Sequence, residues 1–258
     1  MMVLGAALLA APVFVSTPAQ AGPRNACLEA VRAAEVKHAL PDGLLVAVAL
    51  AESGLHAHAL SIGGRAYYPE SRAEARALLV RAPAGASVMA GCVQVNARVH
   101  ARGGSDWPLD PERSADWAAR YLRMHYDNTC NWADALRRWN GGGPASNKLV
   151  CRVEAKLQVV RPGADVLGGP GCGSVQAARQ RRDGRALLEL AEARDGGRAT
   201  ARRYGRHDGK ARERKLPGFF HGRAPGHVRH DRDLSGALIF VTPSQAAMRP
   251  PRCRQAGL

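Results

Sequence analysis

The chain has 258 residues, and its 37 Lys or Arg against 22 Asp or Glu give a formal net charge of +15. That length supports one or two domains with a sizeable core, and the charge favours polyanionic partners: nucleic acid, an anionic cell envelope or acidic lipids. The six cysteines fit no zinc pattern, because no C-x-x-C pair faces a partner pair, and beyond the N-terminal segment no stretch is long and apolar enough to cross a bilayer.

Residues 3–15, VLGAALLAAPVFV, form an apolar run ahead of STPAQA, where Ala19 and Ala21 make an A-x-A site. This predicts a secretory signal covering 1–21 and removed after Ala21. Its n-region carries no Lys or Arg, and a membrane anchor is the alternative. Asn25 is a candidate cap for a helix with Leu28, Val31 and Ala34 on one face. Pro41 and Asp42 then start a second helix, LLVAVALAE, which is apolar from Leu44 to Ala51 and stops near Gly54. Glu52 closes it, sharing a face with Leu45, Val48 and Ala49. Burial and the negative pole of the helix both disfavour its charged form, so its pKa is expected to rise, as a general acid near neutral pH requires. A surface glutamate on the last turn is the plain alternative.

From His56 to Tyr68 the sequence is irregular and Gly-containing. Ser71 and Glu74 form a capping box ahead of a helix through Leu78 and Leu79. Asp110-Pro111-Glu112 is a strong helix start, with Ala118, Tyr121, Leu122 and His125 on one face. Asn131 opens a short helix carrying Trp132, Leu136 and Trp139, stopped by Gly141-Gly142-Gly143. A last helical pattern spans about 150–159. Alternating strand patterns are nearly absent, so residues 22–160 read as an all-α domain of short helices. From Ser174 onward there are 19 Lys or Arg against 8 Asp or Glu. Apart from LLELAEA (187–193) and ALIFV (237–241) this part has little apolar periodicity, so 161–258 reads as a basic, mostly disordered extension. Export makes the cysteines disulfide candidates. Cys27, Cys92, Cys130 and Cys151 lie in the patterned region, and two bridges among these four are expected, with three pairings open. Free buried thiols are the alternative.

Three short pieces stand in order on this scaffold: AESG (51–54), AGCVQVN (90–96) and RRWNGGG (137–143). Together they resemble the E-S, G-L-M-Q-[IV]-N and Y-N-[AG]-G motifs of the lytic transglycosylases with a lysozyme-like fold. GGRAYYPESRAEARALL (63–79) is similar to a stretch in the subgroup associated with type IV secretion and conjugation. The resemblance covers roughly 25–159. It implies that Glu52 protonates the leaving glycosidic oxygen of peptidoglycan and then, as base, takes a proton from the muramic acid 6-hydroxyl, giving a 1,6-anhydro sugar. One carboxylate then suffices, where ordinary glycoside hydrolases use a pair. Ser53 matches the family serine that orients the carboxylate or holds the N-acetyl group, against the reading of a serine bonding its own helix. Gln94 and Asn96 match the cleft motif, with amides suited to sugar hydroxyls and acetamides, although Asn96 equally suits a turn. Trp139 and Asn140 stand where the family has Tyr-Asn. Trp139 offers a stacking face but lacks a phenol's acceptor, and as part of the Trp132–Leu136–Trp139 face it equally suits a core.

Cys92-Val93 replaces Leu-Met, narrowing the side chains there. Asp106, Asp110 and Asp134 read as turn or surface residues rather than a second acid, and His56 with His58 lacks the further ligands of a metal site. No cofactor or metal is implied. The leading expectation is a periplasmic lytic transglycosylase acting on peptidoglycan glycan strands, with a type IV secretion or conjugation assembly as the partner its subgroup implies. The alternatives are a lysozyme-type hydrolase, a non-catalytic envelope-binding scaffold, and attraction of nucleic acid to the basic tail. That tail has no recognition fold, so only nonspecific, salt-sensitive attraction to anionic polymers is expected of it.

Overall fold

Three helices begin at the caps expected from the sequence, Ser71, Asp110 and Asn131. The computed structural model describes residues 22–143, 146–169, 172–193 and Cys253. The expected leader at 1–21, the ALIFV stretch and most of the basic extension lie outside the described residues.

Helix α1 (Pro23–Lys37) opens on a proline in its first turn and buries Leu28, Val31 and Ala34. Asn25 is not its cap. It sits inside the first turn, and its Nδ2 donates to the carbonyl of Ala191 at 3.2 Å. Helix α2 (Leu44–Glu52) is buried at every residue, as an all-round apolar helix must be. Its cap is neither Pro41 nor Asp42. The chain enters through Gly43 in a left-handed turn, and the carboxylate of Glu35, on α1, accepts the N–H groups of Gly43 (3.1 Å), Leu45 (2.5 Å) and Val46 (3.0 Å). An anion at the positive pole of α2 thus satisfies donors that would otherwise be orphaned in the core.

A small antiparallel sheet follows, built from β1 (Leu60–Ile62), β2 (Arg65–Tyr67), β3 (Val88–Ala90) and β4 (Val95–Asn96) in the order β2-β1-β3-β4. The stretch expected to be irregular is therefore a hairpin, β1–β2, turning through Gly63 and Gly64 at positive φ. Between the hairpin and β3 lies α3 (Arg72–Val80). Ser71 caps it as expected, while Glu74 reaches back to the N–H of Glu70 rather than of Ser71. After β4 come α4 (Ala97–His100), α5 (Pro111–Thr129), α6 (Trp132–Trp139) and α7 (Ser146–Val160). Asp110 caps α5 and Asn131 caps α6, each accepting the N–H three residues on. Helices dominate, and the observed class is the all-α, lysozyme-like one read from the sequence.

The core has two parts. The larger gathers aliphatic side chains of α1, α2, α5, α6 and α7; the smaller holds Leu60, Ala75, Val88, Ala90 and Leu109 under the sheet. Trp107 packs against both and so marks the seam between them.

The sequence places 161–258 in a low-order extension, and for 174–192 the structure corrects this. These residues form α8 (Ser174–Glu192), which lies against α1, α2 and α7. Ala191 is fully buried and Leu187 and Leu188 pack on the larger core. Lys156 of α7, itself buried, donates its Nζ to the carbonyl of Gln180 at 2.6 Å. Its stem crosses α8 at Gly184, where a Cβ would stand 2.7 Å from Lys156 Cδ. Burial pushes the Lys156 amine down to about 8.

The disulfide expectation is also corrected. Only Cys27–Cys92 falls within the expected four; Cys130 pairs with Cys253 and Cys151 with Cys172. Cys27 and Cys92 meet in the core between α1 and the loop before β4, whereas Cys130 is the C-cap of α5 and Cys151 lies in the second turn of α7.

Candidate active site

Glu52 ends α2, where the chain leaves the larger core and turns toward the sheet. It is 7 % exposed. Burial raises its carboxyl above the usual glutamate range, and the Arg152 guanidinium, on α7, pulls in the opposite direction without cancelling it. The sequence pattern pointed to the desolvation. It carried no signal for Arg152, which lies in no motif and reaches the site only because α7 packs along α2.

Ser53 is the brace of this turn. Its hydroxyl donates to the Cys92 carbonyl at 2.6 Å, with the Ala49 carbonyl at 3.3 Å, and accepts the backbone N–H of His56 at 3.0 Å. It therefore binds the end of α2 to the loop that carries the second motif, and the Cys27–Cys92 bridge fixes that loop from the other side. His56 is buried, and its imidazole is pushed down to about 3 by burial first, then by Arg24 and His58. It stays neutral, and its Nδ1 accepts the N–H of His58 at 3.3 Å.

The second motif is a tight loop. Gly91 has φ +79, and a Cβ there would lie 1.7 Å from the Pro108 carbonyl oxygen, so only glycine permits this approach. Gln94 is buried with φ +50, a left-handed backbone unusual for a non-glycine residue. Its amide holds that shape by donating to the carbonyls of Ala59 (3.2 Å) and Gly91 (3.0 Å). Asn96 caps α4, accepting the N–H of Val99 at 3.3 Å. The hydrogen bonds of these two amides thus run to the protein's own backbone, and they build the loop next to Glu52.

The third motif caps α6. Trp139 is half-buried between the rings of Trp117 (5.8 Å) and Tyr121 (5.7 Å) of α5. Asn140 is the C-cap, and its Nδ2 is buried without a hydrogen-bond partner. The aspartates weighed as a second acid are engaged elsewhere. Asp106 and Asp110 pair with Arg72, and Asp134 with Arg137. Among the described residues, no group of three or more His, Cys, Asp or Glu could hold a metal ion.

A buried acid, with Ser53 bracing the turn after it, thus stands beside the loop of the second motif. A family model, the Transglycosylase SLT domain, matches residues 29–158. The chain belongs to this family. Neither a curated protein nor a solved structure gives a significant match. SLT domains are lytic transglycosylases and their substrate is peptidoglycan, so the chain is placed in that reaction class. The match ends before α8, and Cys172 and Cys253 lie beyond it.

Arg152 yields a prediction for this SLT domain. Its cation lowers the Glu52 pKa, so Arg152→Gln raises it further. A general acid works while protonated and is lost as pH rises through its pKa. The alkaline limb of the kcat/KM profile therefore moves to higher pH in Arg152→Gln. A limb that stays in place would show that Arg152 does not act on Glu52.

Proposed function

We propose that this protein is an exported peptidoglycan lytic transglycosylase that cleaves the MurNAc–GlcNAc β-1,4 bond with Glu52 as its single acid and base. The observation that carries the reading is the burial of Glu52 at the end of an apolar helix, with its carboxyl raised and one guanidinium acting on it. The raised acid donates its proton to the glycosidic oxygen as the C1–O bond breaks. The carboxylate left behind, stabilised by Arg152, removes the proton of the muramic acid 6-hydroxyl while O6 bonds to C1. Glu52 ends protonated, as it began, and the new chain end is a 1,6-anhydro ring. No second carboxylate is required.

Three disulfides support export to an oxidising compartment, and the periplasm is the one that holds this substrate. The similarity of residues 63–79 to the subgroup of type IV secretion and conjugation supports a local role, opening the sugar mesh for an envelope assembly. The basic extension supports salt-sensitive attraction to anionic polymers alongside this.

The test is product analysis. The full chain without its leader, incubated with peptidoglycan sacculi, is expected to release anhydro-muropeptides, identified by mass spectrometry. Products with reducing ends would overturn the reading in favour of a hydrolase. Binding to sacculi without release would overturn it in favour of a scaffold.

A further inference from the structure

Helix α8 has two faces, and one of them belongs to the body of the protein. Leu187, Leu188 and Ala191 turn inward to the larger core, and the Lys156 side chain crosses the helix at Gly184 on its way to the Gln180 carbonyl. The opposite face follows from the helical period. Val175, Arg179, Arg182, Ala186 and Leu190 recur at spacings of four, three, four and four, so they form one line along the outside of the helix. All five are exposed, and the line is about 22 Å long at the helical rise.

Positive charge and aliphatic surface share this face. Arg181 and Arg185 flank the line, and among the described residues none of Arg179, Arg181, Arg182 and Arg185 forms an ion pair with a carboxylate. Most nearby acids are engaged elsewhere: Glu192 pairs with Arg32 at 2.7 Å, Asp42 with Arg161 at 3.1 Å, and Asp183 acts on the Lys156 amine. Glu189 is the acid left beside the four cations. Val175 is 85 % and Leu190 42 % exposed, one at each end of the line. They are the large apolar side chains of α8 that the core does not take up.

We infer that the outer face of α8 is a docking surface for a bilayer that carries acidic phospholipids. The guanidinium groups meet headgroup phosphates, with which they form bidentate hydrogen bonds. Val175 and Leu190 bury at the boundary between headgroups and acyl chains, as the apolar side chains of an interfacial helix do. The aliphatic pair is what selects this partner. A nucleic acid or an acidic glycan offers the arginines the same kind of anion but gives Val175 and Leu190 no apolar surface to enter. The face is also held in advance. Lys156, Leu187 and Ala191 fix its inner side, and the Cys151–Cys172 bridge ties down the chain two residues before the helix, so docking loses little ordering entropy. The inference does not rest on the chemistry of Glu52.

The test is co-sedimentation of the full chain, without its leader and with its disulfides formed, with vesicles. One set mixes phosphatidylglycerol with phosphatidylcholine and the other is phosphatidylcholine alone. Binding is expected to require the acidic lipid and to weaken as salt is raised. A variant carrying Arg179→Gln, Arg182→Gln and Arg185→Gln is expected to bind about 100-fold more weakly. Because the rest of the chain is basic as well, a charge-matched variant with Arg202→Gln, Arg203→Gln and Arg206→Gln runs beside it. A loss there as large as that at α8 overturns the inference, because overall charge would then account for binding. Val175→Ser with Leu190→Ser changes no charge, and is expected to weaken vesicle binding about tenfold while binding to heparin stays the same. Vesicle binding that ignores this pair overturns the inference in favour of a polyanion site. Failure of the wild type to bind acidic vesicles overturns it outright. The five substituted positions of α8 are exposed, so both α8 variants are expected to melt with the wild type. Binding is read without turnover, so the absence of anhydro products would reject the transglycosylase reading and leave this surface standing.

Discussion

Glu52→Gln is expected to abolish release of anhydro-muropeptides, lowering kcat by about 10³-fold or more, with KM changed little. General acid–base catalysis by one group contributes about 10²–10⁴-fold, and here one side chain serves as acid and then as base, so both steps lose their proton carrier. The amide keeps the shape of the carboxyl, which is why binding survives. Stability moves the other way. A carboxyl held in a desolvated site costs folding energy that a neutral amide does not, so the variant is expected to melt a few degrees higher, about 2–4 °C for each kcal/mol gained. Glu52→Asp retains the acid but retracts it by one methylene, and a shift of about 1 Å costs about 10²-fold. Release of anhydro products by Glu52→Gln at the wild-type rate would remove Glu52 from the mechanism.

The second large effect concerns α8. A chain ending at residue 160 and one ending at 193 both lack Cys253, so they differ only in the segment that carries this helix. The shorter chain is expected to be less stable by about 5 kcal/mol. The Cys151–Cys172 bridge, closing a loop with a sequence separation of 21, contributes about 3 kcal/mol in the chain-entropy account. The packing of Leu187, Leu188 and Ala191 supplies the rest. For a chain of this size that is a fall of roughly 10–20 °C in Tm, large beside a total stability of about 5–15 kcal/mol. Activity should fall as well. Leu187 lies against Gly54, two residues after Glu52, and Arg24 donates to the Gly54 carbonyl from the same side. Equal melting and equal turnover in the two chains would show α8 to be an ornament on a self-sufficient SLT domain.

Much of this was legible in the residues. Asp110-Pro111 and Asn131 start helices where they predict, because a cap acts on N–H groups three residues away. The cap of α2 was hidden for the opposite reason. Glu35 acts from another helix, and no local pattern shows which carboxylate folds back. The sheet escaped because strands of two or three residues are too short to alternate; the Gly63-Gly64 pair was its available signal. On α5 the helical period shows the apolar face but not how the fold divides it. Ala118 and Leu122 enter the core, whereas Tyr121 and His125 turn to the seam.

At the site, the burial of Glu52 followed from eight apolar neighbours. Gln94 and Asn96 match the cleft motif, with a turn the alternative for Asn96, and their amides bond the loop's backbone, since an amide suits a bent backbone as well as it suits an acetamide. Composition taken over the whole extension hides α8. Its arginines outvoted LLELAEA, and only the packed structure shows that a short apolar stripe with a disulfide at its head is enough.

The Cys130–Cys253 bridge has a topological consequence. It joins positions with a sequence separation of 123, so the chain beyond α8 leaves the body at one point and is fastened to it again at another. Its Arg-rich stretch is a closed ring rather than a free end. A protease that cuts this ring once releases nothing; the molecule stays in one covalent piece, its cationic charge still attached, until a reductant opens the bridge. In an oxidising compartment the positive segment and the glycan-cutting body are thereby obliged to travel together.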